Sequence, residues 1–277
     1  MKHLAIIIVM LLLTNSLIAQ DFQGKATYKS HRKMDIQLDS TQMDSDMQKR
    51  MIEMMQKQFE KTYILSFNKK ESLYKEEEKL EAPQPAGMVM VMVDTGGSDI
   101  LYKNTQEETF TNQNEVFGKV FLIEDKLQKF DWELGNETKN IGEYQCYKAT
   151  MKREVVVEAA AISINGDKDL DEEQEPKIEE ITITAWYTPQ IPVNNGPGNY
   201  YGLPGLILEV NDGSETLICS KIVLNPKNKV SIEKPTKGKK ITQEKFDEII
   251  EKKMKEERER YEHNRNDGDN IEIRIRG

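Results

Sequence analysis

The chain has 277 residues, with 48 acidic against 39 basic side chains and a formal net charge of −9. A surface that acidic repels phosphate backbones and anionic headgroups, which excludes nucleic acid as the expected partner. With two cysteines and three histidines, a catalytic triad or a dithiol redox centre is a poor fit.

In chain order, Lys2 and His3 precede an apolar run from Leu4 to Leu13, and Asn15 to Ala19 close it with a polar break and a small residue. That is the layout of a secretory signal peptide, with cleavage expected after Ala19. The apolar run is too short for a permanent anchor, so no transmembrane anchor is expected after cleavage. The expectation is a signal peptide over 1–19 and one mostly antiparallel β domain over 20–277. Only two histidines, His31 and His263, follow the signal segment.

After an alternating strand at 25–29, "KATYK", residues 40–60 place Met43, Met47, Met51, Met54, Met55 and Phe59 three or four apart. That spacing predicts one apolar face of a helix, capped by Ser40 or Thr41. Strands are expected at "TYILSF" (62–67), "MVMVMV" (88–93), "DILYK" (99–103), "KVFLIED" (119–125) and "KFDWEL" (129–134). Further strands are expected at 143–151, 155–164, 178–188, 205–210 and 215–224, with turn residues between them. Residues 242–263 predict a highly charged helix with a thin apolar stripe, and "NIEIRIR" (270–276) predicts a last edge strand. The fold class expected is mainly β (α+β). It is a single curved antiparallel sheet or half-barrel with a Met-rich helix near the N-terminus and a charged C-terminal helix.

Three features invite chemistry. Thioethers suit Cu(I), but Met at helical spacing equally makes an adaptable packing face or a lid over an apolar cavity. Met47, Met51 and Met55 are therefore contact candidates for an apolar ligand, and no metal or cofactor is assigned. The acidic run at 165–175 begins like a calcium loop through Asp167, Asp169 and Asp171. It then fails, with Glu172 where glycine is needed and Ile178 where a bidentate Glu belongs. Cys146 and Cys219 lie 73 residues apart. In an oxidising compartment they are candidates for a disulfide, with two buried thiols as the alternative. No GxSxG, HExxH or phosphate-cradling loop occurs, no catalytic residue is named, and the reading leans away from an enzyme.

From Trp186 the chain reads "WYTPQIPVNNGPGNYYGLPGLILEV". Its prolines favour extended backbone and its glycines permit angles a Cβ forbids. An ordered loop pinned by its apolar and aromatic residues is expected, leading into a buried strand. Tyr187, Tyr200, Tyr201 and Leu203 are the contact candidates for a ligand or partner should the loop carry a site.

The hexapeptide at 202–207 resembles the signature of the GLPGLI family of exported Bacteroidota proteins. The similarity runs over about 117–210. Along it stand Trp132, Glu137-Thr138-Lys139, Gly142, Tyr144, Cys146, Lys148-Ala149-Thr150 and Trp186-Tyr187-Thr188-Pro189. The insertion around 165–175 departs from that pattern. The resemblance implies export to the periplasmic or outer-membrane side of a Gram-negative cell, and it implies no activity. A binding protein for an apolar ligand or an envelope protein is the expected function. The alternative is an envelope scaffold without a small ligand, with a Met-site copper binder or a hydrolase ranked below both.

Overall fold

Short β-branched and aromatic runs broken by turn residues fold as successive hairpins in the computed structural model, which describes residues 22–32, 60–77, 97–157, 160–162, 177–264 and 273–275. The strands are β1 (Gln23–Arg32), β2 (Thr62–Asn68), β3 (Glu71–Glu76), β4 (Gly97–Asn104), β5 (Thr109–Val116), β6 (Lys119–Lys126) and β7 (Glu133–Ile141). They continue as β8 (Tyr144–Val157), β9 (Ala160–Ile162), β10 (Lys177–Thr188), β11 (Leu206–Asn211), β12 (Glu215–Leu224) and β13 (Lys239–Ile241). Helix α1 (Gln243–Asn264) and β14 (Ile273–Ile275) follow.

Twelve strands form one sheet in the order β13-β6-β5-β4-β3-β2-β1-β12-β11-β10-β8-β7, and β14 pairs with β9 in a separate two-stranded ribbon. Every pairing is antiparallel except β13 against β6, so the large sheet is mixed. It is open, because β13 and β7 end it without pairing to each other. It is also curled. One buried cluster joins Leu101 of β4, Tyr74 of β3, Leu65 and Phe67 of β2 and Tyr28 of β1 to Cys146 of β8 and Leu206 and Leu208 of β11. A flat sheet would hold β4 and β8 seven strand spacings apart, about 33 Å.

Alternation sets the inner face. The cross-strand partners Ala26, Leu65, Tyr74 and Leu101 all point there, as do Phe67, Ser72 and Lys103. The 189–205 connection between β10 and β11 sits at one end of the strands. The connections 33–61, 77–96 and 158–176 leave from the other end. Helix α1 begins with Thr242 capping the Lys245 amide and packs Phe246 edge-on against Phe121 at 5.6 Å. Ile249 and Ile250 behind it are half-buried and Met254 is exposed, as the charge-rich sequence predicts.

The mainly β class with a charged C-terminal helix holds. Four details differ. Expected strands at 143–151 and 155–164 are one long strand, β8, plus the short β9. The expected strand 129–134 lies mostly before β7, where Phe130 and Trp132 stand in an irregular connection. Strands β3, β5 and β13 have no counterpart among the strands expected from sequence. Cys146 and Cys219, the disulfide candidates, are free buried thiols here. They lie on β8 and β12 with β10 and β11 between them. Both belong to the one buried cluster on the inner face of the curled sheet, as unbridged thiols. Burial pushes the Cys146 thiol up to about 11 and Cys219 to about 12, so both stay protonated. The Met-rich segment with Met47, Met51 and Met55, the run 88–93, the acidic stretch 165–175 and residues 1–19 lie outside the described residues.

Candidate functional site

The connection 189–205 is where proline, glycine and aromatic residues concentrate, and its backbone behaves almost as a strand. The Val193 amide donates to the Ile191 carbonyl at 2.8 Å and the Asn195 amide to the Val193 carbonyl at 2.9 Å, two tight turns in succession. Such a ribbon keeps alternate side chains on one side. Ile191, Val193 and Asn195 are buried, while Pro192 and Asn194 between them are exposed. Ile191 and Val193 join the cluster on the inner face of the sheet. The ribbon also pairs with the next strand: the Leu206 amide donates to Ile191 and the Ile207 amide to Asn195, both at 3.0 Å.

What holds the ribbon down is Lys103 of β4, fully buried. Its ammonium donates to three loop carbonyls, those of Gly196 at 3.0 Å, Gly198 at 2.7 Å and Tyr200 at 3.1 Å. A lysine has three N–H donors and no acceptor, so this cage satisfies it completely. Burial pushes the ammonium down to about 7, and the three carbonyls work against that by favouring the protonated form. Beside it the Ser72 hydroxyl donates to the Asn195 side-chain oxygen at 2.9 Å. Tyr28, also fully buried, donates to the Ile207 carbonyl at 2.7 Å.

At the far side of the loop Trp132 donates from Nε1 to the Tyr201 carbonyl at 2.9 Å. Gly202 sits against that indole with φ +101, a conformation that disfavours any side chain, and Asn194 accepts from its amide. Phe130 packs edge-on to Trp132 at 6.0 Å and to Tyr201 at 5.7 Å, and lies tilted against Tyr200 at 6.0 Å. Tyr147 and Tyr187 form a second tilted pair at 6.2 Å in the same cluster. Phe130, Trp132, Tyr147 and Tyr200 are half-buried, so the group forms a shelf partly open to solvent. Tyr200 is pushed up to about 12, first by burial and then by Asp212, so its hydroxyl remains a donor at neutral pH.

Of the residues singled out from sequence, Tyr200 lies on this shelf, Tyr187 and Tyr201 are buried behind it, and Leu203 is buried against Ile207 and Tyr187 in the same cluster. Within the hexapeptide only Gly202 and Pro204 are exposed. The hexapeptide is thus mostly packed away, and the surface groups that accompany it come from Phe130, Trp132 and Tyr147. Those three were recognisable as aromatic but carried no spacing signal linking them to the loop. Lys139, paired in sequence register with Cys146, reaches across to Glu209 at 2.7 Å and stands 4.4 Å above the Trp186 ring. It ties the sheet's edge strand to β11.

Among the described residues, no three His, Cys, Asp or Glu side chains are gathered as a metal set. Nor is any described helix long and apolar enough to cross a membrane.

No curated protein matches the chain. Two solved structures of PNGF-II, in C2 and P21 crystal forms, resemble it with TM-scores of 0.46 and 0.47 at 15% and 14% identity. Each covers 83% of this chain, and the chain spans about a third of their length, 32% and 33%. A family model described as a protein of unknown function, Porph_ging, matches residues 132–209, the stretch from the shelf tryptophan to the glutamate paired with Lys139.

Proposed function

We propose that this is an exported GLPGLI-type protein of the Gram-negative envelope, released by its first nineteen residues into the periplasm. There it serves as a partner-binding module without catalysis. The observation that carries the reading is the use of the inner face. Ile191 and Val193 of the loop occupy it over β1–β4, in the place where a carrier would keep room for an apolar ligand. The accessible apolar surface beside the loop is the aromatic shelf of Phe130, Trp132, Tyr147 and Tyr200. Half-exposed rings with a polar tip suit a protein partner, offering much contact area at little entropic cost. An envelope protein is therefore favoured over an enclosed apolar ligand.

A photo-crosslinking amino acid placed at Phe130 or Tyr147 in cells tests this. One discrete adduct is expected from both positions and none from Val223, an exposed control on β12. Equal labelling at Val223, or no adduct at either shelf position, contradicts the reading.

A further inference from the structure

The hairpin joining β5 to β6 turns on an unusual pair. Phe117 and Gly118 both have positive φ, 50° and 68°, the geometry of a tight two-residue turn. Asparagine or glycine suits the first of these positions, and a bulky aromatic rarely adopts that backbone. Such outliers concentrate where a segment contacts something else. Phe117 is 40% exposed, and Val120, three residues on, is 36% exposed. A Cβ placed on Gly118 would meet nothing within 4 Å among the described residues, so the tip projects clear of the sheet.

Lysine gathers beside this tip. Residues 227–240 carry six lysines and one acidic residue, Glu233, in a chain whose formal net charge is −9. That segment leads into β13, which pairs in parallel with β6. Gly238 is seated on the β6 backbone: a Cβ there would lie 2.7 Å from the Phe121 carbonyl carbon and 2.9 Å from the Leu122 nitrogen. Its neighbours Lys237 and Lys239 are therefore held against the hairpin. Phe121 is four residues of chain from Phe117, no more than about 14 Å. Lys119, Lys237 and Lys239 are all exposed. Lys234 and Lys240 are instead taken up by Glu124, at 2.9 and 3.1 Å. Within residues 115–120 the only acidic side chain is Glu115, opposite Val120.

We propose that this tip docks on an anionic phospholipid surface. Phe117 and Val120 enter the boundary between headgroups and acyl chains, while Lys119, Lys237 and Lys239 meet the phosphates. Two apolar side chains on a projecting turn offer far less than the roughly 800 Å² per partner of a stable protein interface, whereas a fluid lipid surface closes round a projection. The net charge of the whole chain opposes the approach. Charges farther away than a Debye length of about 8 Å are screened, however, so the lysines at the contact decide it. Three lysines and one aromatic ring make a reversible, salt-sensitive attachment. The tip lies at the strand end opposite the 189–205 loop, since Glu115 pairs with Gly97 at the start of β4 and Lys103 near the end of β4 holds the loop. Attachment there does not depend on the partner reading of the aromatic shelf.

An environment-sensitive dye on Val120→Cys reads the contact in the full chain, with Val223→Cys on β12 as a comparably exposed control. The native thiols are buried and escape labelling. Vesicles of phosphatidylglycerol and phosphatidylcholine in equal parts should brighten the dye at Val120, and added NaCl should reverse the change. Pure phosphatidylcholine vesicles should leave it dark, as should either vesicle with the dye at Val223. Phe117→Asn supplies a residue that the turn favours, so melting should rise while vesicle affinity falls about tenfold. Those opposite directions separate a lost contact from a lost fold. Lys119→Glu, Lys237→Glu and Lys239→Glu together should abolish the response. The proposal is overturned by a dye at Val120 that stays dark on anionic vesicles, which would leave a protein as the occupant of the tip. An equal response at Val223, or either variant binding as tightly as the wild type, overturns it as well.

Discussion

Replacing Lys103 by methionine is expected to destabilise the protein by about 4 kcal/mol, although it removes a buried charge. Two magnitudes compete. Holding the ammonium near 7 instead of its ordinary 10.5 corresponds to roughly 5 kcal/mol of burial cost that methionine escapes. Against this stand three charge-assisted bonds of about 2 kcal/mol each, and three loop carbonyls that would then be stranded at about 1 kcal/mol or more apiece. The cage wins. At 2–4 °C per kcal/mol for a chain of this size, melting should fall by about 10 °C. The same substitution reads out proton linkage. A depressed lysine leaves the unfolded chain binding more protons above pH 7, so wild-type stability rises with pH there until the ordinary lysine range. Between pH 7 and 10 the gap between wild type and Lys103→Met should widen, by at most about 1.4 kcal/mol per pH unit. Denaturant titrations across that range give both numbers, and a constant gap would show the lysine to be held as firmly protonated as in water.

The second large effect belongs to Gly205. A Cβ built there lies 2.2 Å from the Thr188 carbonyl oxygen and 2.8 Å from the Pro189 nitrogen, all of it backbone. No side-chain rotation relieves such a clash, and the two strands it would push apart are paired by Thr188 with Leu206. Gly205→Ala is therefore expected to cost more than the usual overpacking penalty of about 1–3 kcal/mol and to leave little folded protein at 37 °C. Pro204→Ala next to it, exposed and without an amide to lose, should cost less than about 1 kcal/mol. Thermal melts of the two variants side by side check the contrast; similar losses would mean that the close approach of β10 and β11 is not what demands glycine.

How much of this was legible in the sequence depends on distance along the chain. Proline and glycine act locally, so the extended loop, its entry into a buried strand and the α1 helix could all be read from their own residues. Lys103 could not. "DILYK" reads as a strand whose lysine closes it at the surface, and its three acceptors come from a loop more than 90 residues away. Strand β5 is not legible because Asn112, Gln113 and Asn114 lower strand preference in a segment that its neighbours β4 and β6 nevertheless hold in the sheet. Charged Lys152 to Glu154 suggest a break between 143–151 and 155–164. In the structure those residues sit in a ribbon exposed on both flanks, where charge is tolerated. The aromatic shelf draws on three separate segments, so only the fold could assemble it.

Hydrogen exchange on the loop amides tests most directly whether the hexapeptide is scaffolding. The Gly205, Leu206 and Ile207 amides donate to Leu203, Ile191 and Asn195, within a loop anchored on a buried lysine. Their protection should match that of paired amides in β1 and β12, and Lys103→Met should lower it there before it lowers protection in β1. Exchange of these three amides at the rate of the exposed turn at Gly213, with β1 fully protected, would show instead a loop that opens independently of the sheet and is free to serve as the binding element itself.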